Sequence, residues 1–348
     1  MLIPHIRISS GYGFFYLTMN YNTHLNKIKD HFLETDLLKE EEFFIFKNNS
    51  CAKKLIDKCI HLSHQASIRL GINIYFAVAF NYQLNASVKF KNNQGAIIFN
   101  LGLIENLETL VPESIELFSN EIVANFTIDD NEKNYLERIL NDCSILYLFN
   151  HELAHIIQLS KTKSTSIKYF QELYSNIKIF KLKNHIYEFD ADYFGITIST
   201  IHMLEKILDN KLEHNQVRLY NHISAFLLVT ANIIIQFSSE SFIELYYKKK
   251  SHPHSLIRII GIIEQVLHTS EQNIPINKSL FPVILDRTGN LISQIQYSKG
   301  RTLNYPKLIK ENFEEIERYN KEIEIENENY KELTRFKLQD LINILIKP

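Results

Sequence analysis

In residues 146–159, LYLFNHELAHIIQL, apolar side chains at 146, 148, 149, 153, 156, 157 and 159 fall almost all round a helix. A helix that is apolar on every side belongs in the middle of a domain. The same stretch carries His151, Glu152 and His155, and burying two imidazoles and a carboxylate without partners costs several kcal/mol. A chain containing it has to build a core large enough to enclose the helix and supply something that satisfies these three groups.

The rest of the chain can provide that core. Its 348 residues suffice for one large domain or two ordinary ones, and 45% of them are hydrophobic. Glycine and proline are scarce, 9 and 7 residues, and long stretches carry apolar residues at helical spacing, so the fold class is mainly α with a small β-sheet (α+β). The sheet is expected early. Residues 50–70 read as a helix stopped by Gly71, INIYFAVAF (72–80) is rich in strand formers, and ASVKF (86–90) and GAIIFNL (95–101) flank the turn-like KNNQ as a hairpin. Residues 105–131 read as mixed and acidic, 132–159 as one helix or two, and a further helix begins near Asn184. Helices are expected at 201–213, 217–237 and 251–267, and 268–306 reads as irregular because of its prolines and glycines. The charged tail, 308–346, reads as a helix or helical hairpin packed on the body through Phe313, Ile316, Ile323, Tyr330 and Leu333. The expected domains are an N-terminal helical region 1–70, a central domain 71–268 that contains the buried helix, and a C-terminal irregular segment and charged helical region 269–348.

On a helix, residues four apart share a face, so His151 and His155 can aim their imidazoles at one cation. Glu152 is rotated by about 100° from His151, which leaves its carboxylate beside an attacking water rather than on the metal, as a general base. H-E-x-x-H is common enough by chance to need support. A hydrolytic zinc also needs a third protein ligand and an open position. The spacing H-E-x-x-H-x-x-G-x-x-H is absent, since Gln158 and Lys161 stand at its last two marks. HIYEFDADYFG (185–195) offers Glu188 as the ligand and Asp192 one turn on as the acceptor that orients a histidine, with Ala191 and Gly195 small enough for another helix to approach. His185 and Asp190 are alternative ligands. In SHPHSLIR (251–258), Ser251 and Pro253 resemble a helix start, and His252 and Arg258 are placed to donate hydrogen bonds to a developing oxyanion. An N-terminal cap followed by a surface arginine is the plainer reading.

Taken in order, His151-Glu152-x-x-His155, Glu188-x-x-x-Asp192 and His252-Pro253 with Arg258 resemble the gluzincin metallopeptidases of the HtpX and type 1 CAAX-prenyl endopeptidase kind. GAIIFNLGLIENL (95–107) is similar to the strand and Gly-Leu turn that precede the active-site helix there, so the resemblance covers about 95–260. It implies a zincin-like core, one Zn2+ on His151, His155 and Glu188, Glu152 as base, and His252 and Arg258 near the transition state. A protein or peptide substrate would lie extended along residues 96–100 as an added strand. Members of that family often carry transmembrane helices, and none is expected here; residues 105–140 and the C-terminal third have no counterpart. The chain also resembles the Lit-type phage-exclusion peptidases, through NHELAH, which implies a defence or toxin role and a regulatory partner or activator.

Acids and bases nearly balance, for a formal net charge of -2, which gives no global reason to expect nucleic acid or an anionic membrane as partner. The longest apolar run, 223–237, is short of the roughly 20 residues that span a bilayer and reads as a buried helix. Three cysteines without a CxxC pair and no secretion signal point to a cytoplasmic protein. The rival class is a non-catalytic binding protein that uses the lysine-rich segment 161–183, where six lysines face one glutamate.

Overall fold

The computed structural model describes residues 20–120, 130–160, 166–171, 180–209, 216–237, 245, 247–250, 252–298, 300, 302–329, 340–342 and 345. Helices predominate and enclose a small mixed sheet, as the scarcity of glycine and proline predicts. Helix α1 (Tyr21–Phe32) starts where the Asn20 side chain accepts the Thr23 amide. Helix α2 (Asn49–Leu70) starts the same way on Asn48 and stops at Gly71, whose left-handed φ of 65° carries no Cβ penalty.

The sheet comprises β1 (Asn73–Ala79), β2 (Ala86–Lys91), β3 (Gln94–Asn100) and β4 (Lys168–Gln171), in spatial order β1-β3-β2-β4. The expected hairpin is β2 and β3, turned by Asn92 and Asn93 at φ 51° and 59°, the left-handed pair a tight two-residue hairpin needs. Strand β1 adds to β3 in parallel, and β4, which periodicity did not single out, pairs with β2. Strand β3 therefore has a neighbour on each side, and an added substrate strand along 96–100, expected from the resemblance, has no free edge there. The outer edge of β1 is closed too. His24 Nδ1 accepts the Phe76 amide at 2.9 Å, the Tyr21 hydroxyl accepts that of Val78 at 3.1 Å, and the Leu38 amide donates to the Val78 carbonyl at 2.8 Å.

Helix α3 (Leu101–Asn120) follows β3 directly and corrects the reading of 105–131 as mixed over residues 105–120; residues 121–129 lie outside the described residues. Its buried Leu103, Ile104, Leu107, Val111, Ile115 and Phe118 form a helical stripe that outweighs the interior Pro112. The site helices are α4 (Asp130–Ser160) and α5 (Leu182–Asp209); α5 runs unbroken through the break expected near residue 201. Helix α6 (Gln216–Phe237) is long and apolar enough to cross a membrane, yet it is the buried centre of the helical layer. Helix α7 (Ser255–Asn273) is capped by His254, three residues after Ser251, so Pro253 precedes the helix; Ser251 itself lies outside the described residues.

The 268–306 region is not irregular: it holds α8 (Phe281–Ser298) and α9 (Tyr305–Glu311). Pro282 sits in the first turn of α8, where proline is tolerated, and Gly289 is a packing glycine, since a Cβ there would lie 3.0 Å from Pro306 Cγ. The tail forms α10 (Phe313–Asn329), which buries Ile316, Tyr319 and Ile323 while Phe313 is exposed; Tyr330 and Leu333 lie outside the described residues. Tyr319 and Ile323 pack with Ile186 of α5 and Ile257 of α7. One larger buried cluster takes side chains from 20–70, from 71–268 and from 269–348 alike.

Candidate metal centre

Two long helices bring the site together because small residues let them touch. A Cβ on Gly195 of α5 would stand 2.8 Å from the Tyr147 carbonyl oxygen and 3.1 Å from the His151 amide nitrogen of α4. Strand β3 presses on the other side of α4, where a Cβ on Gly95 would meet Ile156 at 2.8 Å. Buried between sheet and helices, α4 holds His151, Glu152 and His155 at 2%, 1% and 0% exposure. Such values mean that these polar groups depend wholly on protein partners or a bound ion.

His151, His155 and Glu188 each turn a potential ligand atom toward a common point, all within 4.8 Å of one another. The separations are 3.2 Å between the two Nε2 atoms, 3.7 Å from His151 Nε2 to Glu188 Oε2, and 3.5 Å from His155 Nε2 to Glu188 Oε1. For metal bonds of about 2.05 Å, a tetrahedron has ligand-to-ligand edges of about 3.3 Å. The spacing is that of a set that could hold a small divalent cation, and a buried group of two histidines and a glutamate is what the fold builds.

The opposite ring nitrogens explain why those Nε2 atoms face one another. The Gln158 amide donates to the Tyr187 carbonyl at 3.0 Å, which turns its oxygen toward His155 Nδ1 at 2.8 Å and leaves the proton on that nitrogen. His151 Nδ1 lies 3.1 Å from Asp192 Oδ1. Burial alone would raise the Asp192 carboxyl, but Arg258 and the His151 hydrogen bond outweigh it and bring it down to about 2, so Asp192 is an ionised acceptor. Both imidazoles thus present unprotonated Nε2 lone pairs beside a carboxylate. Without a cation, three electron-rich atoms would repel; with one, they coordinate.

Glu188 and Asp192 stand beside the two histidines, where the sequence reading expects them. Arg258 is placed differently. Its Nε and one terminal nitrogen hold Asp192 bidentately at 2.7 and 2.8 Å, and its other terminal nitrogen is 3.6 Å from Glu188 Oε2. At 6% exposure it is not a surface arginine; its guanidinium braces the two carboxylates. His252 Nε2 approaches Glu188 Oε1 at 3.4 Å from the more exposed side of the site. The alternative ligand His185 is engaged elsewhere, between the Tyr319 hydroxyl and the Lys250 carbonyl, the latter at 2.8 Å. Asp190 lies on α5 in the wall of a separate cavity. The Tyr147 hydroxyl donates to Asp192 at 2.7 Å. Neither Tyr147 nor Gln158 was marked by the sequence reading, although their spacing from His151 and His155, four and three residues along one helix, carried that signal. Of the lysine-rich segment 161–183, residues 161–165 and 172–179 lie outside the described residues.

Compared with known proteins, the chain matches no family model, no curated protein and no solved structure. What the structure offers in their place is the site itself, a buried His-His-Glu group that could hold a cation.

Proposed function

We propose that this protein is a zinc metalloendopeptidase that hydrolyses peptide bonds of a protein substrate in the cytoplasm. The observation that carries the reading is the orientation of His151 and His155: each Nδ1 is tied to an acceptor, so each Nε2 is left as a ligand beside Glu188. Two nitrogens and one carboxylate form a donor set suited to zinc and leave a fourth position open. The sequence resemblance to gluzincin peptidases supports the same choice. When bound, zinc would polarise the scissile carbonyl and make a water acidic enough to react near neutral pH.

The chain's own residues do the rest. Glu152, one position after His151 on α4 and buried, would accept the proton of the attacking water on its carboxylate and return it to the leaving amine nitrogen. His252, at the more exposed side, would donate to the carbonyl oxygen as negative charge develops. Asp192, Gln158 and Arg258 keep the ligands aimed. A Lit-like defence or toxin role belongs to the same proposal.

Metal analysis and peptide cleavage test it together. The purified protein should carry about one zinc per chain, Glu188→Ala should lose it, and Glu152→Gln should keep it while cleavage falls by a factor of 10² or more. Expression of the active protein should arrest growth and that of Glu152→Gln should not. Cleavage by Glu152→Gln at the wild-type rate removes Glu152 from the chemistry; wild-type zinc in Glu188→Ala removes the third ligand.

A further inference from the structure

Beside the Asp192–Arg258 pair, which lines it, α5, α7 and α10 form an open pocket of about 300 Å3. Five buried isoleucines, Ile186, Ile196, Ile257, Ile262 and Ile323, form the apolar part of its wall. Its charged groups are one-sided: Asp190, Asp192, Glu264 and Glu324 stand against the single guanidinium of Arg258, which Asp192 already occupies. Glu264 and Glu324 are both exposed at its rim.

Two further observations concern what would enter. Asn327 lines the cavity at 4% exposure, and its side-chain oxygen has no hydrogen-bond partner, an acceptor that lacks a donor. Gly261 lies in the middle of α7, where glycine costs about 1 kcal/mol relative to alanine. No packing explains it, since a Cβ there would meet nothing within 4 Å. Gly261 lines the pocket, and a Cβ there would stand in open space.

We propose that this cavity binds an aliphatic ammonium or guanidinium group. The alkyl part lies against the isoleucine walls, the cationic head sits between Glu264 and Glu324, and an N–H donates to Asn327 Oδ1. Gly261 keeps the space open. The ligand class follows from the charge of the lining: a cation is drawn to Glu264 and Glu324, a neutral alcohol of the same shape gains nothing from their charge, and an anion would be repelled. The inference stands apart from the peptidase reading, because none of the groups that hold the head belongs to the metal centre.

Calorimetric titration of the full-length protein with n-butylamine, n-butylguanidine and n-butanol tests it. Saturable one-to-one binding of the two cations is expected, with a dissociation constant of about 1 mM or tighter, the range open to a ligand of a few heavy atoms. The alcohol should not bind. Glu324→Gln, a substitution at an exposed position, should weaken amine binding at least threefold, and Gly261→Leu should abolish it while the protein stays folded. A blocked Gly-Lys-Gly tripeptide in parallel distinguishes the source: binding as tight as the free amine points to a lysine side chain of a polypeptide, and exclusion points to a free amine. Absence of saturable amine binding, equal binding of the alcohol, or affinity untouched by both substitutions would overturn the proposal.

Discussion

Replacing Arg258 with methionine separates two roles that the sequence could not distinguish. In the fold, two guanidinium nitrogens lie 2.7 and 2.8 Å from the Asp192 carboxylate, with both residues nearly excluded from water. Arg258→Met keeps most of the aliphatic volume but leaves a buried carboxylate whose ionised form has lost its main partner. Breaking such a pair from one side costs about 3–5 kcal/mol, mostly the penalty of the stranded charge. For a cooperative chain of this length that lowers the melting temperature by about 4–7 °C. Asp192→Asn combined with Arg258→Met should recover much of the loss, with a coupling of about 2 kcal/mol or more, because the amide carries no charge to strand. Thermal unfolding of the four proteins of this cycle, each with and without chelator, is the assay. If Arg258→Met melts with the wild type and loses only peptide turnover, the arginine acts on substrate and the bracing argument is wrong. Additive single-variant effects would refute it as well.

Stability should fall as pH drops from about 6.5 toward 4. Burial holds the His24 and His185 imidazoles down to about 4, so in that window the unfolded chain takes up protons that the folded chain refuses. Urea midpoints across the window check this, and His24→Gln should flatten the slope; a midpoint independent of pH would contradict it. Gly102→Ala should destabilise the protein by about 3 kcal/mol or more, since its Cβ would lie 2.1 Å from the Tyr82 carbonyl oxygen, backbone that cannot swing aside. Denaturant unfolding that shows less than about 1 kcal/mol would mean that the β1–β2 loop is not seated on α3.

Features confined to one element were legible in the sequence. The Gly71 stop, the Asn92–Asn93 turn, the two histidines on α4 and the carboxylate pair on α5 each follow from local geometry that a single strand or helix imposes. Features that depend on a second element were not. Pro282 and Gly289 look like breakers until α9 is known to fill the notch at Gly289. Strand β4 is four residues long, too short for alternation to register, and becomes a strand by pairing with β2. The spatial order that encloses β3 is likewise a property of the whole sheet, which is why an extended substrate along 96–100 read well in sequence and has no edge in the fold.

The position of Glu188 shows how the two kinds of information combine. Glu188, Ala191, Asp192 and Gly195 fall at intervals of three and four, so they form one stripe along α5. The stripe alone does not say what it faces. Contact is decided at Gly195, where the lack of a side chain lets α5 settle against the Tyr147 carbonyl and the His151 amide. With the helices fixed there, Asp192 meets His151 Nδ1, and Glu188, one further turn along, meets both Nε2 atoms. The donor set is thus a consequence of interhelical distance, and the residue that sets this distance is one that binds nothing.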